Sequence, residues 1–335
     1  MHAAITDKGS SIDRDSKVPF TVALPVYNEE GVLKHLHSLL TQACASVEDN
    51  YEILYINDGS RDGTGQILRQ LAEEDSHVSV VELSRNFGHP AALEVGIEIA
   101  EGQSLILMDA DLQDDPAVIP ELLRIQREEG AEVVYVVRTN RKEPLVMRPM
   151  FWVFHWLVQR TATYPVTRNS GSFGLLGARA LAEVRNMTER LRYFPGLRAF
   201  VGFKQVELKV ERGARYDKKS RVGFIGLVRL AGLAFFAETR APITIFYLVS
   251  VVSLLISLGL VTYALIAKLS GIAIVAWTST VTSIAFFSSV IILGQAFICE
   301  YLARIYEETR HRPIYIVDKL HRARITTEVR DDDSH

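Results

Sequence analysis

Between Phe20 and Val137, short runs rich in β-branched and aromatic residues take turns with longer stretches whose apolar positions recur at helical spacing. "FTVALPVY", "YEILYIND", "VSVVELS", "SLILMD" and "AEVVYVV" read as strands. The stretches between them read as helices at 29–47, 62–75, 90–101 and 116–129. Single strands alternating with single helices predict an α/β fold, a mostly parallel sheet covered on both faces. In such sheets ligands sit at the carboxyl ends of the strands. The unusual polar residues fall there: Asn28 and Glu29, Asn57 and Asp58, Asn86, and Asp109 to Asp111. Past Asn140 the alternation fades, and "MFWVFHWLVQR" reads as a helix suited to a core or a lipid interface. Residues 1–17 have no periodicity and read as a flexible tail.

The second half has a different texture. No Asp, Glu, Lys or Arg occurs from Ala241 to Ala267, nor from Leu269 to Cys299. A bilayer core needs about 20 apolar residues per helix, so two transmembrane helices are expected, at 242–267 and 272–299. "VGFIGLVRLAGLAFFAETRAP", just before them, suits a helix at 222–241 lying in the headgroup layer. Arg212, Arg215, Lys218, Lys219 and Arg221 precede the pair, and Arg304, Arg310, Arg312 and Lys319 follow it. Basic flanks stay cytoplasmic. The expectation is a multi-pass protein of the inner (plasma) membrane, with residues 18–221 forming the soluble domain, 300–335 a tail, and both termini cytoplasmic. The first apolar run is too short for a signal peptide.

Charge narrows the partners. With 37 Lys and Arg against 40 Asp and Glu, the chain has no global basic footprint for nucleic acid. Its two cysteines, Cys44 and Cys299, form no CxxC pair and read as packing residues.

The densest chemistry is "SLILMDADLQDDP", an apolar run that ends in acids. Crowded carboxylates repel unless something positive sits among them. Asp109 and Asp111, two apart at a strand end, are able to face one side of the sheet edge. With the amide oxygen of Gln113 they form a hard-oxygen set suited to Mg²⁺ or Mn²⁺, which complete their shell with substrate phosphates. An isolated Asp-X-Asp is equally a solvated loop. Asp115, directly before Pro116, reads as a helix N-cap. "LSRNFGHPAALEVG" leaves a strand and opens a helix, a place where free amides attract an anion.

"VALPVYNEE", "YINDGSRDGT", "LSRNFGHPAALEVG" and "LMDADLQDDP", in that order, resemble glycosyltransferase family 2. Within it they resemble the polyisoprenyl-phosphate hexosyltransferases, the group of bactoprenol glucosyltransferase and dolichyl-phosphate mannose synthase. The likeness extends through "VERGARYDKKSRVGF" and "CEYLARIYEETRHRPIYIV", covering Val18 to Val317. It implies a GT-A, Rossmann-like domain carrying a two-helix membrane hairpin, and inverting transfer of a hexose from a nucleotide sugar to a polyprenyl phosphate. UDP-glucose and undecaprenyl phosphate are the favoured pair. By the same resemblance, Pro25, Tyr27, Asn28, Glu29, Asp58, Asn86, Asp109 and Ala110 line the nucleotide-sugar site, with Asp58 accepting from the base. Asp109, Asp111 and Gln113 hold the metal, and Asp109 and Asp111 are the catalytic pair. Arg138, Arg148, Arg212 and Arg221 meet the acceptor phosphate. Relatives with such a tail form homo-oligomers, tetramers among them.

Two positions depart from the pattern. Asn57 stands where the family has the first of two acids, and Ser172, in "NSGSFGLLG", stands where it has the acid of "G-D-F". A lipid phosphate has a second pKa near ~6 and is already largely dianionic at neutral pH, so a strong general base is dispensable. A processive polysaccharide synthase is disfavoured, since the chain has no Q-x-x-R-W. Another membrane acceptor, and a non-catalytic scaffold that binds nucleotide sugar, are the alternatives.

Overall fold

The computed structural model describes residues 18–139, 170–187, 194–211, 241–270, 276–310 and 312–323. The chain divides into two compact units: Met1–Arg148 with Tyr164–Arg221 and Pro313–His335, and Pro149–Thr163 with Val222–Arg312.

The first unit is built on a mixed sheet of eight strands among the described residues, in the order β7-β5-β6-β4-β1-β2-β3-β8. Strands β1 (Phe20–Val26), β2 (Glu52–Asn57), β3 (Val78–Leu83) and β4 (Ser104–Leu107) are parallel to their neighbours within that group. They are the first four expected strands, each displaced by at most two residues at an end. Helices α1 (Leu33–Ala45), α2 (Thr64–Glu74) and α3 (His89–Ile99) connect them. A short 3₁₀ turn, Pro116–Val118, leads into α4 (Ile119–Glu129), and β5 (Val133–Thr139) follows.

The period of two along each strand sorts side chains onto two cores. Phe20, Val22 and Leu24 join Leu33, Leu36 and Leu40 of α1 on one face. Ala23, Leu54 and Ile56 join Ala92 and Val95 of α3 on the other. Fully burying a side chain of this size stabilises by about 1.5–3 kcal/mol. Helix α3 lies close because Gly96 faces the sheet: a Cβ there would stand 3.0 Å from Ala23 Cβ.

Three strands lie beyond the region of regular alternation. β6 (Ser170–Leu176) inserts antiparallel between β4 and β5, β7 (Gln205–Glu211) runs parallel to β5, and β8 (Val317–His321) pairs antiparallel with β3. Helices α5 (Ala178–Asn186) and α6 (Phe194–Phe200) lie between β6 and β7 in sequence. β8 departs from the expected domain plan, in which 300–335 is a tail outside the domain. Backbone pairing to β3 draws it in, and Arg322 fastens it by an ion pair with Glu101 at 2.8 Å and a bond to the Ile99 carbonyl at 3.0 Å.

The described part of the second unit is two helices that pack on each other, α7 (Ala241–Leu269) and α8 (Ala276–Thr309). Of the two expected spans, the stretch Phe286–Ala303 in α8 is long and apolar enough to cross a membrane, by length and composition. The apolar stretch found in α7, Leu248–Gly259, is shorter. Leu254, Leu255 and Leu258 of α7 and Ile284, Ile291 and Ile292 of α8 are exposed. The helix expected at 150–160, and 222–240 of the one expected at 222–241, lie outside the described residues.

Candidate functional site

The parallel strands end side by side, and the strand order reverses direction at β1, whose neighbours are β2 and β4. A crevice at such a switch point is where open α/β sheets take ligands. Four loops meet there.

The first loop leaves β1 through Asn28, which holds φ 54°, a left-handed conformation that asparagine tolerates better than most residues. Its side chain accepts from Arg61 N at 2.8 Å, and its own N–H donates to Ser60 Oγ at 3.0 Å. Glu29 N–H donates to Thr64 Oγ1 at 2.9 Å, and Glu30 accepts from Gly63 N at 2.6 Å. The loops after β1 and β2 are therefore laced together, with Tyr27 half-exposed at the rim.

The second loop begins at Asn57 and Asp58, 5% and 3% exposed. Asn57 Oδ1 accepts from Ser60 N at 3.0 Å, an Asx-type bond that holds the turn and that an acid's oxygen would make equally well. Asp58 accepts from Phe87 N at 2.7 Å with one oxygen and from Gly88 N at 2.9 Å with the other. Burial still raises its pKa above the usual carboxylate range; those two amide bonds and the nearby His89 and Arg85 pull the other way. Asp58 thus clamps the loop after β3, a task the sequence did not disclose. Gly59, at φ +65°, lets that loop approach: a Cβ on it would fall 2.4 Å from the Arg85 carbonyl carbon.

The third loop carries Asn86 and opens α3 at His89. The fourth is the acid-rich stretch, and it resolves into separate roles. Asp114 is buried and accepts from Asp109 N at 3.4 Å, closing the turn on itself. Asp115 accepts from Ala117 N at 2.9 Å, the expected cap. Asp111 receives both donors of Gln113, the backbone N–H at 3.1 Å and the side-chain amide. Gln113 therefore orients Asp111, and a metal-ligating part for it would run through its amide oxygen. Asp109 is about one-third exposed, with His89 Nε2 3.5 Å away and Ser172 Oγ donating to it at 3.3 Å.

Among the described residues no group of three or more His, Cys, Asp or Glu side chains is arranged to hold a metal. A pair of carboxylates still fits Mg²⁺ or Mn²⁺, which typically take one or two and leave the rest of the shell to phosphate and water.

The structure thus gathers Pro25, Tyr27, Asn28, Glu29, Asp58, Asn86, Asp109, Ala110, Asp111 and Gln113 at one end of the sheet. Arg138 is placed by its backbone in β5, whereas Arg148, Arg212 and Arg221 lie outside the described residues. Sequence reasoning missed His89, although it stands inside the quoted "NFGHP", and gave Ser172 no partner. Cys44 is buried, its thiol pushed up to about 12 chiefly by desolvation, in keeping with packing, whereas Cys299 is exposed on α8 and departs from that expectation.

Comparison with known proteins gives the assembly its place. The model of "Glycosyl transferase family 2" matches residues 21–184. An uncharacterized glycosyltransferase, sll0501, of Synechocystis sp. is 32% identical over 306 residues, covering 90% of this chain and 96% of the relative. The undecaprenyl-phosphate 4-deoxy-4-formamido-L-arabinose transferase of Aeromonas hydrophila is 30% identical over 312 residues, covering 91% and 95%. Among solved structures, a mannosyltransferase from Pyrobaculum calidifontis in complex with GDP-Man and Mn²⁺ aligns with TM-score 0.44 and 16% identity over 83% of this chain and 88% of that one. With a relative this similar matched along nearly its whole length, the chain belongs to glycosyl transferase family 2 and is a glycosyltransferase.

Proposed function

We propose that the protein transfers a hexose from a nucleotide sugar, UDP-glucose by preference, to a polyprenyl phosphate, undecaprenyl phosphate by preference, with inversion at the anomeric carbon. The observation that carries this reading is the 30% identity to an undecaprenyl-phosphate sugar transferase across 95% of that protein's length. The exposed apolar sides of α7 and α8 support a membrane-bound acceptor, since surfaces of that kind need lipid or a partner to cover them. The soluble unit and both termini then lie on the cytoplasmic side of the inner membrane, the spans are 242–267 and 272–299, and the protein works as a homo-oligomer.

In this reading the base and ribose lie against Pro25, Tyr27, Asn28, Glu29, Asn86 and Ala110. Asp58 serves them through the loop it clamps and through the lone pairs its amide bonds leave. Asp109 and Asp111, with Gln113, hold a Mg²⁺ or Mn²⁺ ion, which supplies Lewis-acid neutralisation of the departing diphosphate. Arg138, Arg148, Arg212 and Arg221 hold the acceptor phosphate, for which the guanidinium fork is well matched. A lipid phosphate needs no proton removed, so charge neutralisation and in-line placement supply the rate.

The test is transfer of labelled sugar into an organic-extractable lipid. Detergent-purified protein is given undecaprenyl phosphate and a panel of UDP- and GDP-sugars, with Mg²⁺ or Mn²⁺ and with EDTA. Metal-dependent labelling from one donor is expected. Nucleotide binding without lipid labelling would sink the acceptor and favour another membrane acceptor or a scaffold.

A further inference from the structure

Among the described residues Asp109 has two side-chain partners, and both fall on one oxygen. Ser172 Oγ donates to Oδ1 at 3.3 Å, and His89 Nε2 stands 3.5 Å from that same Oδ1. Among the described residues, Oδ2 takes neither a hydrogen bond nor an ion pair. The partners arrive from different elements, Ser172 from the inserted strand β6 and His89 from the first turn of α3. The backbone beside His89 is itself fixed, because Gly88 N–H is tied to the buried Asp58.

The terminal torsion of an aspartate is broad, so a carboxylate without partners exchanges its oxygens freely. Two partners on Oδ1 remove that freedom and turn the other oxygen outward. The chemistry of the partner at 172 matters as well. An acid there would set a second negative charge at contact distance, and one of the two would have to take up a proton or swing away. A hydroxyl donates instead, and the crevice carries one carboxylate fewer.

We propose that Ser172 and His89 are positioning residues that bracket Oδ1 of Asp109 and leave Oδ2 for the donor groups of the bound nucleotide, a ribose hydroxyl or the cation that would accompany its diphosphate. This rests on the reading of the crevice as a nucleotide-sugar site. It gives the departure at 172 a function: the neutral side chain fits the site to an anionic donor with less repulsion.

The experiment is calorimetric binding of UDP and of GDP to the full chain in detergent, with Mn²⁺ and with EDTA. It compares wild type with Ser172→Ala, Ser172→Thr, Ser172→Asp, His89→Ala and His89→Gln. Each alanine variant should weaken the preferred nucleotide about 3–10-fold, the worth of one modest hydrogen bond. Ser172→Thr keeps the hydroxyl and His89→Gln keeps a donor, so each should recover most of the loss at an unchanged melting temperature. Ser172→Asp should bind worse than Ser172→Ala, most of all in EDTA. In the transfer assay the alanine variants should raise the donor KM more than they lower kcat. Alanine variants that bind as wild type does, or a threonine no better than alanine, would overturn the bracket alone. Wild type that binds neither nucleotide would overturn the bracket together with the nucleotide-sugar reading. Nucleotide binding without lipid product overturns only the acceptor.

Discussion

The two ends of the parallel sheet treat acidic residues in opposite ways. At the amino end, Glu52 is fully buried and fully engaged. Thr21 Oγ1 and Glu101 N–H donate to Oε2 at 2.6 and 3.0 Å, and Ser79 Oγ donates to Oε1 at 2.6 Å. Asp75, nearby in the loop before β3, lies between His37 and His77 at 3.4 and 2.9 Å. At the carboxyl end, Asp58 and Asp114 are just as buried and spend themselves on backbone amides, but Asp109 and Asp111 remain partly open beside them. Glu52 is served on both oxygens by distant parts of the chain and Asp75 on both by His37 and His77, whereas Asp109 is served by side chains on one oxygen and Asp111 by its near neighbour Gln113. The two ends differ in how far the chain itself occupies their acids, more than in how deeply those acids lie.

The sharpest test of that contrast is Asp111→Asn. Loss of a carboxylate that would hold the metal beside the departing diphosphate should cut transfer about 100- to 1,000-fold, equal to several kcal/mol of barrier, while the melting temperature stays put. A large fall in stability would place Asp111 with the structural acids. The mirror experiment is Glu52→Ala, which strands two hydroxyls and one amide in a buried place. A cost of about 3 kcal/mol in urea unfolding is expected from such unsatisfied groups, with turnover per folded molecule unchanged.

Asp75 gives a pH signature. The hydrogen bond from His37 is the largest influence on it and, with further bonds from His77, holds its carboxyl well below the usual range. A group whose folded pKa is depressed contributes stability that is present above its unfolded value, about 3.9, and is lost as pH falls below it. Unfolding midpoints should therefore drop between about pH 5 and pH 2, and Asp75→Asn should flatten that slope. An unchanged slope would show that the histidine pair contributes nothing. The smallest effect is expected from Asp115→Ala, which removes a helix cap at a cost of about 1 kcal/mol and leaves sugar transfer intact. Its contrast with Asp111, four positions away, is the comparison at its tightest.

Much of this was legible because it is local. The parallel strands announce themselves in "FTVALPVY" and "YEILYIND", where apolar residues fill both faces, and Asp115 announces its cap by preceding Pro116. The carboxyl-end rule then brought Asn28, Asp58 and Asp109 together without coordinates. What escaped depends on partners distant in the chain. β6 is "SGSFGLL", too rich in small residues to read as a strand until β4 and β5 flank it. β7 does alternate, as "QVELKVE", but it stands after a long stretch without strand–helix rhythm. β8, "VDKLH", is mostly exposed and exists through its pairing to β3. Ser172 and Asp109 lie 63 positions apart, a distance no motif spans.

β8 has a consequence for how the molecule is made. The strand that finishes the sheet is encoded after α7 and α8, so the ribosome delivers it last. Until then β3 presents a bare row of amides and carbonyls, a template for stray pairing. Synthesis thus leaves the sheet of the first unit unsealed until both long helices have emerged, and the final stitch along β3 marks a chain that has been made through α8.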